Sequence, residues 1–389
     1  MKQLGKRGYL VVAALALAAC GPDAPVRTDV VRADSSGVKL ITSTGSDAAL
    51  AWQFDTVGVL TDSLGEPWLF TALSPQMVVT DRAGRTYVLD REPAIRRFGR
   101  LGQYERSIGR KGGAPGEMSF PTALLQQGDS LVAFDVDRGA LVRWGSDFEP
   151  INDVRFESAL ERVSSIRYRA GGAWVVRDSF DSLGTTTSSL YADTLDTEPL
   201  LRVSRTSPRI MPMCSAPGGT SIRVQLPRFF SPEISWTATG ARMLANAGPG
   251  YELQLFEGPR LIASVRRDLP LQVANESHLA VLYPEGIKIA GGNVSCTIEL
   301  SAVMESIGVA QYLPFVQGLS LTKDGTMWVQ RSLRNEPPVL DVFGSDGAYA
   351  GTVRGFGLPL GLLPNGELLV PQEDEESGGF VITRLRVTK

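Results

Sequence analysis

A chain of 389 residues with one histidine, three cysteines and no apolar run long enough to cross a bilayer has several functions closed to it at the outset. Zinc sites draw on several His and Cys ligands, and a Ser-His-Asp triad needs a placed imidazole. His278 alone supplies neither set, and no G-x-S-x-G elbow occurs. No metal, cofactor or catalytic residue is therefore expected, and any catalysis would have to rest on Asp, Glu, Tyr or Lys. Positive charge is also scarce: 39 Lys and Arg against 42 Asp and Glu give a net charge of −3, with the cations scattered among carboxylates. Binding a phosphate backbone depends on clustered cations, so no nucleic-acid partner is expected.

What is present begins with an export signal. Lys2, Lys6 and Arg7 precede the apolar run Tyr9 to Ala19, and Cys20 closes it. The run is too short by roughly half to span hydrocarbon, which takes about 20 apolar residues. The tetrad Leu17-Ala18-Ala19-Cys20 resembles the lipobox of bacterial lipoproteins. That resemblance implies cleavage after residue 19, diacylation of Cys20 and a membrane-anchored chain in the cell envelope. Gly21 stands where the group's inner-membrane retention signal has Asp, which implies the outer membrane of a two-membrane host. Loss of residues 1–19 removes three cations and takes the charge from −3 to −6. Residues 20–36, rich in Pro, Asp and Ser, read as a lipidated flexible tether, and 37–389 as one domain. Cys214 and Cys296 remain. They either pair, closing an 82-residue separation worth about 4 kcal/mol in the chain-entropy model, or stay separate buried thiols.

The domain repeats internally. Gly84, Gly128, Gly172, Gly240, Gly325 and Gly366 each open a short apolar strand that ends in a polar residue: Asp90, Asp135, Asp178, Asn246, Arg331 and Gln372. Second strands follow at residues 94–98, 140–144, 251–256, 339–343 and 380–387, then tight turns, then a further strand in YERSI, LIASV and YAGTV. The glycines are spaced by 44, 44, 68, 85 and 41 residues. The short spacings match the roughly 40–50 residues of one propeller blade, and the long ones imply insertions near 196–230 and 270–316. In the second insertion LSAVMESI is the one good helical run, with a loop equally compatible. The fold expected is all-β: a six-bladed β-propeller of four-stranded antiparallel blades. The last unit lacks its outermost strand, and an open edge invites aggregation. The segment Trp52 to Leu60 is expected to fill that place and close the ring.

The run Thr86-Tyr87-Val88-Leu89-Asp90, then Ile95-Arg96-Arg97-Phe98, then Gly102-Gln103-Tyr104, then the glycine-rich connection Ile108 to Glu117 resembles the NHL-like six-bladed β-propellers, especially their bacterial lipoprotein group. The resemblance spans about residues 50–389 and is weakest in the third blade. Some of those propellers are lyases built on metal-bound histidines, a set that this sequence lacks. Gly109 to Glu117 reads as an inter-blade connection, because Pro115 interrupts it and no helix follows as a P-loop requires. Gly355 to Gly361 reads likewise, and Glu373 to Glu376 as a solvated loop.

In a four-stranded blade the loop after the second strand and the blade-to-blade connection share one face. Asp90, Arg91, Arg110, Lys111, Glu117, Asp135, Arg138, Asp178 and Arg331 would then gather at the central channel mouth as a binding surface. The competing reading makes the acidic ones turn caps. The function expected is a membrane-anchored binding or scaffold domain that engages a protein, peptide or glycan through one face. The alternative is an envelope hydrolase or lyase using carboxylate chemistry.

Overall fold

The computed structural model describes residues 29–389 apart from 91, 156–162, 170–171, 183, 193–197, 207–212, 216–220, 224–227, 292–293 and 334. The expected export signal, Cys20, most of the expected tether and Arg91 lie outside the described residues. Six four-stranded antiparallel blades form the body. In chain order, blade 1 is Val78–Thr80, Thr86–Asp90, Ala94–Phe98 and Tyr104–Ile108. Blade 2 is Pro121–Gln127, Ser130–Asp135, Ala140–Trp144 and Pro150–Arg155, and blade 3 is Val163–Arg169, Gly172–Phe180, Thr185–Ala192 and Leu201–Thr206. Blade 4 is Ser235–Thr239, Arg242–Asn246, Glu252–Glu257 and Arg260–Arg267, and blade 5 is Gly318–Leu321, Met327–Gln330, Val339–Phe343 and Tyr349–Arg354. Blade 6 takes Gly361–Leu362, Leu368–Glu373 and Phe380–Thr388 from the end of the chain and Gln53–Val59 from its beginning. This last strand pairs antiparallel with Phe380–Thr388, Gln53 opposite Thr388 and Val59 opposite Thr383, which closes the ring as expected.

The repeating glycines sit where the first strand of a blade hands over to the second. In blades 1, 5 and 6 the glycine N–H donates back three residues, Gly84 to Asp81, Gly325 to Thr322 and Gly366 to Leu363, at φ of 82°, 86° and 85°. That is a left-handed conformation in which a Cβ is strained, so glycine recurs there. The apolar run after each glycine is buried on both sides, because both faces of a blade are covered by its neighbours. Its side chains alternate between seams with the period of two of a strand. In blade 2, Leu131 and Ala133 join the cluster shared with blade 1, and Val132 and Phe134 join that shared with blade 3. Each of the six seams has such a cluster.

The segment before the ring is more ordered than a tether. Val30–Ser35, expected to be flexible up to residue 36, is a strand that forms a hairpin with Val38–Ser43. Its second strand pairs in parallel with Arg260–Arg267, the outer strand of blade 4. The chain continues around the rim. The Leu50 N–H donates to Thr352 O at 3.0 Å, and the Thr352 N–H to Ala48 O at 2.7 Å, along blade 5. Gln53–Val59 then edges blade 6, and the Thr61 N–H reaches Gly102 O of blade 1 at 2.9 Å. Residues 30–61 thus form a belt over the outer edges of four blades, which blunts the exposed-edge hazard.

The 270–316 insertion carries two helices. The helix expected in LSAVMESI is Leu300–Ser306 (α2), preceded by Glu276–Leu282 (α1), which was not foreseen. The lone His278 serves α1. The Asn275 N–H donates to its Nδ1 at 3.3 Å while the His278 N–H donates to Asn275 Oδ1, a reciprocal cap. Cys296 is disulfide-bonded, and its strand Val294–Ile298 packs against Met213–Ser215, which carries Cys214.

Candidate functional site

Strands of a blade alternate in direction, so the ring has two distinct faces. The loops after second strands and the blade-to-blade connections open on one, the connection face. The turns between first and second strands open on the other, the turn face.

On the connection face the candidates of blade 2 come together. Asp135 is fully buried and accepts from the N–H groups of Ser119, Phe120 and Arg138, the last two at 3.2 Å. Arg138 donates to Asp153 at 2.7 Å and to the carbonyls of Glu117 and Gly113. Glu117 accepts from the Ala114 N–H at 3.0 Å and from Arg110 Nε at 2.7 Å, which hold its carboxyl below the usual range. Arg110 and Lys111 remain exposed. The other candidates act within their own blades. Asp90 lies 3.3 Å from Arg96 Nε, and Asp178 accepts from Ser188 Oγ in a strand that runs on to Phe180. Arg331 turns outward into the seam with blade 4.

That seam holds a polar knot. Asp341, with no exposed surface, accepts from Tyr251 Oη at 2.8 Å, Thr352 Oγ1 at 2.6 Å and Arg267 Nη1 at 2.8 Å. Arg331 Nε is 3.0 Å from Asp341 but off the hydrogen-bond line, so that contact is one of charge. Asp47, from the belt, accepts from Arg267 Nη1 at 3.0 Å and from Arg331 Nη2. Burial pushes the Asp47 carboxyl up, and the bonds from Arg331 and Arg267 outweigh it and hold it below its ordinary value. Burial and the Asp341 charge raise the Tyr251 hydroxyl well above the ordinary range. The knot fastens the belt to the ring.

The turn face is arranged differently. Between blades 6 and 1 lies a cavity of about 340 Å³, lined by residues 82–84, residues 363–365 and Arg100. The Arg100 stem lies against the turn, its Cγ 3.3 Å from where a side chain on Gly84 would begin. Beside the cavity, Lys323 of blade 5 donates to Thr80 Oγ1 at 3.4 Å, and that hydroxyl donates to Leu362 O at 3.3 Å. The nearby carboxylates already have cations. Asp81 bonds Arg85 at 2.6 Å, Glu367 bonds Arg384 at 2.6 Å and Asp324 lies 3.0 Å from Lys389. Among the described residues Arg82, Arg100 and Lys323 meet no carboxylate. Sequence reasoning passed over all three, although Arg82 and Lys323 stand two residues before the repeating glycines Gly84 and Gly325.

Several solved structures are similar to the chain over most of its length. A Bacteroides fragilis NCTC 9343 protein described as exported aligns with a TM-score of 0.48 at 10% identity, covering 90% of this chain and 100% of its own. A member of the DUF4221 family from Bacteroides vulgatus ATCC 8482 aligns at 0.44 and 9% identity, covering 88% and 98%. A streptogramin B lyase aligns at 0.41 and 8% identity, covering 87% and 98%. No role or activity is carried over from them. No family model and no curated protein matches the chain.

Proposed function

We propose that the chain is an envelope lipoprotein of the NHL-like propeller group, anchored through Cys20, whose ring is a binding or scaffold module for a protein, peptide or glycan. The observation that carries this reading is the route of the belt. The described chain starts at the outer rim of blade 4, where Val30–Ser35 is the outermost strand, and runs around the rim before entering the ring. A lipid on Cys20 would then be joined to the ring through the rim of blade 4. Exposed Arg110 and Lys111 offer the connection face as the partner surface. The carboxylates with shifted ionisation are not placed to act as general acids. Asp47, Asp81, Glu117, Glu285, Asp324 and Asp374 are all shifted down by their partners, whereas a general acid near neutral pH needs an upward shift.

Palmitate labelling of the intact chain and of Cys20→Ser tests the anchor. Label in the parent and none in the variant is expected, with the parent in the outer-membrane fraction of a two-membrane host. Label on both proteins or on neither refutes it. Site-specific photo-crosslinking from positions 110 and 111 in membranes tests the face. A discrete adduct lost on competition with unlabelled protein is expected, and adducts only from turn-face positions would move the partner to the other side.

A further inference from the structure

We propose that the turn face between blades 6 and 1 is a binding site for a small molecule that carries a phosphoryl group. Arg82 and Arg100 line one cavity, and Lys323 sits beside Thr80 and Leu362, the residues that lead into the two turns forming its walls. Carboxylates of the neighbouring turns and strands are paired: Asp81 with Arg85, Glu105 with Arg97, Glu367 with Arg384 and Asp324 with Lys389. Asp81 is further held under its turn by the N–H groups of Ala83 and Arg85 at 2.9 Å and by Tyr87 Oη at 3.2 Å, so it does not turn toward the cavity.

Two guanidinium groups left over at one concave place, with the Lys323 ammonium beside the strand that leads into its wall, repel one another, and an anion there relieves the repulsion. A phosphate monoester carries about −1.5 to −2 charges and three acceptor oxygens, which matches two guanidinium forks better than a single carboxylate does. The volume limits the rest of the ligand. At about 340 Å³ the cavity is at the small end of the roughly 300–1,000 Å³ of ligand pockets, room for a group the size of one sugar ring. Asn365, on the blade 6 wall, supplies a neutral amide for hydroxyls of such a ring. This site is independent of the anchor and of any partner on the connection face.

Isothermal calorimetry on the full-length chain in detergent tests it, with inorganic phosphate, glucose 6-phosphate, glucose and glucuronate as probes. Saturable one-to-one binding of both phosphates is expected, tighter for glucose 6-phosphate, with no heat from glucose and affinity for glucuronate lower by about tenfold. The R82A/R100A double variant should lose about tenfold or more in affinity for glucose 6-phosphate, since each lost charge-assisted bond is worth that much. R82K/R100K should fall between, keeping charge and losing the fork, and K323A should weaken phosphate binding while R260A, on blade 4, leaves it unchanged. Melting curves confirm that each variant folds; should the double alanine variant fail, the lysine pair and K323A carry the test. No saturable phosphate binding by the parent, or equal affinity in the seam variants, overturns the site. Glucuronate binding as tightly as glucose 6-phosphate overturns the phosphoryl assignment.

Discussion

Arg267, at the end of blade 4, donates through Nη1 to the wholly buried carboxylate of Asp341 in blade 5 at 2.8 Å, and the same nitrogen lies 3.0 Å from Asp47 of the belt. One guanidinium thus ties two blades and the N-terminal segment together. Its planar group also lies 4.0 Å over the Tyr349 ring, which fixes its orientation. A charge this deep is stable only because its partners are complete.

Removal of Asp341 should therefore cost far more than removal of Asp47. Asp341→Ala leaves Arg267, 1% exposed at its side chain, and Arg331 without their buried counter-charge. The expected loss is about 3–5 kcal/mol. Asp47 is 33% exposed, and water takes over part of its role, so Asp47→Ala should cost about 1 kcal/mol. Urea unfolding of the two variants measures both, and equal losses would contradict the assignment of most of the cost to the buried carboxylate.

Acid should loosen the ring in a defined window. Burial opposes ionisation of Asp324, but the bonds from Thr322, Lys389 and Thr326 prevail and bring its pKa down from 3.8 to about 2. A carboxyl whose folded value lies below its unfolded one contributes stability that is complete above the unfolded value and is lost as pH falls through the folded value. For Asp324 that window runs from about pH 4 to about pH 2, and Asp47 and Asp81, also shifted down, add to the loss below pH 4. Urea midpoints taken from pH 6 to pH 2 should fall within it, and more shallowly for Asp324→Asn. A parental profile flat to pH 2 would count against these ion pairs.

A strained turn makes a third case. The turn between third and fourth strands ends on a left-handed residue in three blades: Gly102 at φ 96°, Gly347 at 82° and, in blade 2, Phe148 at 64°. Phenylalanine is held there by what its ring meets, with Arg97 at 5.1 Å and Arg106 at 5.4 Å over its face and Tyr87 at 6.0 Å. Phe148→Ala loses the ring and keeps the strain, whereas Phe148→Gly loses both. The glycine variant should be the more stable of the two, by about 1 kcal/mol, the reverse of the usual order. Thermal melts of the pair decide it.

The disulfide calls for direct chemistry. Cys296 is bonded, and the strand that carries Cys214 packs against its own. Pairing of Cys214 with Cys296 is expected, and its removal by Cys296→Ser should cost up to about 4 kcal/mol. Mass spectrometry of alkylated, unreduced protein should show neither thiol blocked; alkylation of both removes the pairing.

The ring was legible because its signals are local and repeated. A glycine that must take positive φ, then a both-sides-buried run such as Leu131 to Phe134, recurs with blade spacing whatever the insertions do. The belt was missed for the opposite reason: its pairing of Val38–Ser43 with Arg260–Arg267 joins segments more than 200 residues apart. One local clue existed in Ser36-Gly37, both at positive φ, 55° and 80°, between two runs with β-branched residues. The Pro, Asp and Ser content of residues 21–36 as a whole masked it. As for the site, no sequence rule tells which polar turn residue folds inward. Asp135 and Arg331 became internal partners, while Arg82 and Lys323, on the other face, kept their charge outward.

The belt itself can be released by one methyl group. Gly351, at φ 146°, lies so close beneath it that an added Cβ would come within 2.6 Å of Leu50 Cα and 2.8 Å of Leu50 N. These are backbone atoms, which cannot rotate away as a side chain tip does. Gly351→Ala should push residues 48–50 off Thr352, breaking the two hydrogen bonds that lead the belt from blade 5 to blade 6. Blade 5 is intact without them, but Gln53–Val59 then enters the seam of blade 6 from a loose segment. Hydrogen exchange should show faster exchange at Leu50 and Thr352, spreading to Gln53–Val59, while the second strands of blades 2 and 5 stay protected. Unchanged exchange along the belt would mean that blade 6 holds its borrowed strand without help from blade 5.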